Sequence, residues 1–215
     1  METMDLSIDD IRFTKGFDDY SKRPTEYILF LQWIKDFICL TKLLSQEPNR
    51  WYQQLFYINL VGLFDIISKD PFISSLEDVY TKHVKQCVNE MLNVLTDDEF
   101  LYVVYKRHSA AHPLQNHYDL FDQEGNKREK VNTWKIRGND KQLTMEEVLR
   151  SIHRILSKYR NDEMLSSIDI RNKLTPHILQ LQEGLFERFL QVARAIDLPS
   201  SDPQMYETLV QIMKA

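Results

Sequence analysis

Three of the six histidines fall within ten residues, as His108, His112 and His117, and Arg107 stands directly before the first of them. An imidazole is the one side chain whose ordinary pKa lets it both take and give protons near neutral pH. An arginine fork grips two phosphate oxygens at once and never loses its charge. Together these residue types suit cleavage of a phosphodiester: a base for a hydroxyl and a fixed cation for the oxygens around phosphorus. Two other uses of the same residues stand beside this one. His108 and His112 are four apart and share a helix face. With His117 or Asp119 they could hold a metal, although the segment offers no glutamate and no second ligand pair. Alternatively the histidines cap the free carbonyls at a helix end and do no chemistry.

The elements around this cluster decide how it is presented. Thr96 and Glu99 form a capping box, each able to satisfy a free N–H of the first turn. The helix they open runs through Phe100, Leu101, Val103 and Val104, and is expected to stop near Ala111. Pro113 disfavours helical geometry at His112. In a regular helix Arg107 and His112 lie about 140° apart around the axis. They share one site only if the last turn is distorted or a second subunit completes it. A homodimer is therefore expected, two-fold pairing being the commonest assembly. Beyond the helix, residues 114–143 break the helical pattern with Gly125-Asn126 and Gly138-Asn139-Asp140, and place Val131, Trp134 and Ile136 between them. An irregular loop or β-hairpin is expected there.

Charge supports a phosphate-bearing partner. The net charge is −5, yet Lys and Arg outnumber Asp and Glu by 12 to 7 over residues 101–160 while the flanking segments are acidic. A basic middle in an acidic chain is a candidate footprint for nucleic acid, and equally the solvated face of a loop. Lys106, His117, Trp134, Lys135 and Arg137 are the candidate substrate contacts, with Trp134 able to stack on a base. Asn59 and Asp65 are polar positions in an otherwise apolar helix and could support Arg107 from a neighbouring element.

The remainder of the chain reads as helix. Its 215 residues contain 5 Gly and 7 Pro, against about 26 at average usage. This argues against a sandwich, a barrel or a Gly-rich nucleotide fold. Tyr27, Phe30, Leu31, Ile34, Phe37, Ile38, Thr41 and Leu44 recur at helical spacing. Residues 51–68 are apolar nearly all round and predict a buried central helix, with Trp33, Trp51 and the phenylalanines in the core. Ser75 is expected to cap the next helix, Thr144 the one after the insertion, and Thr175-Pro176 a helix reaching Ile196. Cys39 and Cys87 lie in apolar stretches and read as reduced core residues. The start is acidic with no apolar h-region, and no apolar run is long enough to span a bilayer, so a cytoplasmic protein with no membrane partner is expected. The expected fold is an all-α bundle with a short insertion near residues 114–143. It comprises an N-terminal arm (1–24), a helical bundle (25–160) and a helical extension (161–215).

Arg107-His108-Ser109-Ala110-Ala111-His112 resembles the R-polar-x-x-x-H motif of the HEPN superfamily, whose common form ends a helix within an all-α bundle. The likeness covers roughly residues 25–160. His108 stands where asparagine is commoner, and Pro113 where glycine is usual. The resemblance implies a metal-independent endoribonuclease needing no cofactor, often dimeric, of the kind found in toxin–antitoxin and phage-defence systems. RNA and an antitoxin protein would be its partners. It implies His112 as acid/base, Arg107 as phosphate clamp and His108 as a positioning or protonating group. Some members of the superfamily have lost activity and only bind a protein partner or a nucleotide, which is the alternative implied here.

Overall fold

The computed structural model describes residues 23–111, 131–136 and 139–214. Its elements are α1 (Pro24–Gln46), α2 (Arg50–Lys69), α3 (Pro71–Ser75), α4 (Val79–Val94), α5 (Asp97–Ala111), β1 (Val131–Ile136), β2 (Asn139–Thr144), α6 (Met145–Lys158), α7 (Glu163–Gln180), α8 (Leu185–Ala195), α9 (Leu198–Ser201) and α10 (Pro203–Lys214). The class is all-α with one antiparallel hairpin, β1 pairing β2 from Val131↔Thr144 to Ile136↔Asn139. The hairpin falls in the stretch where helical periodicity fails.

Two units are distinguished, each drawn from three or two separate parts of the chain. One comprises Met1–Cys39, Leu63–Glu90 and Pro176–Ala215; the other comprises Leu40–Gly62 and Met91–Thr175. In the first, all of the α1 stripe that belongs to it is buried, from Tyr27 to Ile38. A polar knot sits inside that core. Arg188 of α8 meets Asp78 at 3.1 Å, with 1% of each side chain exposed. The same carboxylate accepts the Thr81 N–H at 3.0 Å, and the Tyr27 hydroxyl bonds Thr81 at 3.1 Å. Burial pushes the Tyr27 phenol far above its ordinary range. Asp78, rather than Ser75, therefore caps α4: it stands directly before Val79, and its carboxylate reaches the free N–H of Thr81 in the first turn.

Two further differences from the sequence reading have physical causes. Trp51 is 75% exposed and Leu55 42%, so α2 is not buried all round; its core face is Gln53, Phe56, Tyr57, Leu60, Leu63 and Phe64. Pro176 lies inside α7 and does not start a helix. The Asp162 carboxylate accepts the N–H groups of Met164 and Leu165, which starts α7 thirteen residues earlier than Thr175. The buried row Ile170, Leu174, Ile178 and Leu181 then carries the helix past the proline. The helix ends at Gln180 and a turn follows; Gly184, whose φ of 73° a residue with a Cβ adopts only at a cost, stands directly before α8, so the helix expected to reach Ile196 is interrupted here.

Candidate functional site at the end of helix α5

The helix bearing the arginine–histidine motif is held along its length, within the second unit, by named side chains. Its start is the capping box: the Thr96 N–H donates to Glu99 Oε2 at 2.9 Å and the Glu99 N–H donates to Thr96 Oγ1 at 3.2 Å. Glu99 is 3% exposed and also takes a hydrogen bond from Lys173 of α7. One turn on, the buried Tyr102 hydroxyl meets Ser166 Oγ at 2.7 Å. Near the end, Lys106 Nζ meets Glu163 Oε2 at 2.7 Å. The partners on α7 run backward, Lys173, Ser166, Glu163, as the α5 residues run forward. The two helices are thus antiparallel and locked in register by three polar rungs. Arg154 of α6 adds an ion pair to Asp98 at 2.9 Å.

Helix α2 completes the support. Its Tyr57 hydroxyl donates to Ser167 Oγ at 2.8 Å, and Gln53 donates to the Glu163 carbonyl at 2.9 Å. The Tyr57 and Tyr102 rings meet edge to face with centroids 6.1 Å apart. Burial pushes the Tyr102 phenol up to about 12, against the lowering effect of its Ser166 bond. Burial likewise raises Tyr57, so both hydroxyls stay neutral donors and serve as struts rather than proton carriers.

These rungs fix which way the motif points. Lys106 faces α7, so Arg107 projects about 100° further round the axis. Arg107 is half-exposed, and no hydrogen bond or ion pair joins it to another described residue. It is free to meet an anion. Lys106, a candidate substrate contact, has only 13% of its side chain exposed and its charge is already matched by Glu163. Asn59 donates to the Leu55 carbonyl of its own helix at 2.8 Å, and Asp65 pairs with Lys69 one turn on. His108 stands in the last turn of α5, and Trp134 and Lys135 occupy β1 opposite Lys141 and Asp140. His112, His117 and Arg137 lie outside the described residues. Among the described residues no three His, Cys, Asp or Glu side chains gather as a metal site requires, and no helix is long and apolar enough to cross a membrane.

Sequence reasoning missed the α7 side of this arrangement. Glu163, Ser166 and Ser167 belong to a helix whose start it placed too late. A signal was present, since Tyr102 and Lys106 are four apart and Glu163 and Ser167 are four apart, two faces able to meet. Set against family models, curated proteins and solved structures, the chain matches none.

Proposed function

We propose that the protein is a metal-independent endoribonuclease of HEPN type, active as a homodimer on RNA in the cytoplasm. We place it in a toxin–antitoxin or phage-defence setting. The observation that carries this reading is Arg107, unpaired among the described residues, beside His108 on a helix joined to α7 by three polar rungs, with His112 following in the sequence. Positioned arginine and imidazole groups of this kind can stabilise a phosphorane without a metal.

In the proposed reaction His112 removes the proton of the substrate's 2′-OH. That oxygen attacks the adjacent phosphorus, and the bond from phosphorus to the 5′ oxygen breaks. Arg107 holds the non-bridging oxygens as their charge grows, and His108 protonates the departing 5′ oxygen or orients the phosphate. The products are a 2′,3′-cyclic phosphate and a 5′-hydroxyl. The test is incubation of purified protein with RNA and DNA of one sequence in excess EDTA. RNA cut to cyclic-phosphate ends with DNA left whole is expected. Cleavage abolished by EDTA and restored by zinc or manganese would move the site to His108, His112 and His117 as metal ligands.

One observation favours a binding module that has lost catalysis. The neutralised Lys106 offers no second cation beside Arg107. In that case a protein partner or a nucleotide binds, and no cleavage follows.

A further inference from the structure

A second cationic feature lies next to the motif helix and is used by nothing described so far. Arg50 and Gln53 from α2, the Arg160-Asn161 turn, and Asp162, Glu163 and Met164 opening α7 line one shallow depression. Arg50 and Arg160 are exposed, and their side chains take no ion-pair partner among the described residues. Of the two acidic side chains, Glu163 is matched by Lys106 at 2.7 Å. The other, Asp162, spends one oxygen on the N–H groups of Met164 and Leu165. Asn49 in the same way accepts the Tyr52 N–H at 3.0 Å. The helix ends are therefore capped already, and the two arginines are what an anion would meet. Beside Arg50, about 100° round α2, stands Trp51 with 75% of its surface in solvent.

An indole this exposed adds little to the core. A flat ring next to a free guanidinium is the pairing that single-stranded nucleic acid uses: the ring stacks on a base of any type and the cation takes the adjoining phosphate. Through Glu163 the depression touches Lys106, the residue before Arg107. From these placements we infer that Arg50, Trp51 and Arg160 form a binding surface for single-stranded RNA that feeds strand to the end of α5. The inference rests on the ribonuclease reading for the identity of its ligand.

The test is binding of a 2′-O-methyl single-stranded RNA, which cannot be cut, followed by intrinsic tryptophan emission and by anisotropy of an end label. Arg50→Ala, Trp51→Ala, Trp51→Phe and Arg160→Asn are compared; asparagine suits the φ of 53° at Arg160. All three positions are exposed, so the variants should fold, and circular dichroism checks it. Trp51→Ala is expected to weaken binding about tenfold and remove the quench, while Trp51→Phe stays near wild type. Each arginine variant should lower the slope of log affinity against log salt by about 1. RNA bound by the wild type with these variants unchanged would overturn the inference and leave the nuclease reading standing. Binding weakened as expected, with cleavable RNA left intact, would keep the surface and remove the nuclease. No binding by the wild type, or a mass in light scattering that halves on Trp51→Ala, would overturn the surface in favour of none or of self-association.

Discussion

Replacing Glu99 by glutamine tests how the motif helix is anchored. The amide can still accept the Thr96 N–H, so the capping box survives. What is lost is the charge on the bond to Lys173. A hydrogen bond to a charged group is worth about 1.5–3 kcal/mol net against about 1 for a neutral one, so the cost should be about 1–2 kcal/mol. Lys173 remains 34% exposed and can rehydrate, so no buried cation is stranded. For a chain of this size each kcal/mol moves Tm by about 2–4 °C, which gives a drop of about 2–8 °C. The pH dependence has a definite sign. Burial pushes Glu99 up, but the Lys173 hydrogen bond, the Thr96 N–H and the Lys173 charge outweigh it and hold the carboxyl below the usual glutamate range. Its contribution is full above the unfolded value of about 4.3 and disappears as pH falls through the lower folded value. Urea unfolding of both proteins across pH should show a constant gap from neutral pH down to about 5 that closes below about 4. A gap that persists at the acid end would mean that packing, not charge, was lost, and no gap at neutral pH would refute the anchoring argument.

Two further outcomes follow from the first unit. Arg188→Met strands the Asp78 carboxylate in the core and should cost about 3–5 kcal/mol in urea unfolding, while Arg188→Met with Asp78→Asn should recover part of that. Burial pushes the Cys87 thiol up to about 12, so iodoacetamide at pH about 8 should leave Cys87 unlabelled in the folded protein and label it in guanidinium, as read by peptide mass spectrometry.

Helical class, the α1 stripe and the start of α5 were legible because they depend on local chemistry. An apolar row at helical spacing must be buried, and a Thr-x-x-Glu box satisfies its own N–H groups wherever it occurs. The start of α7 was not legible. Asp162 and Thr175-Pro176 are both plausible caps in isolation, and only the burial of Ile170 and Leu174 decides between them. Trp51 was misread for a similar reason, since composition cannot say which side of an apolar helix lacks a neighbour. The choice of Arg107 and His108 as candidates rests on residue type and spacing alone. The rungs that orient them were not, because Lys106–Glu163 and Tyr102–Ser166 join residues 57 and 64 positions apart.

The central claim is that Arg107 and His112 perform chemistry on RNA rather than close a helix. The measurement is the single-turnover cleavage rate of an end-labelled RNA in EDTA for wild type, Arg107→Ala and His112→Ala at matched solubility and Tm. Arg107 makes no bond within the described residues, so Arg107→Ala should keep wild-type stability within about 0.5 kcal/mol. We expect cleavage by the wild type and a fall of about a hundredfold or more in each variant. Equal rates in all three proteins, or no cleavage by any of them, would contradict the account.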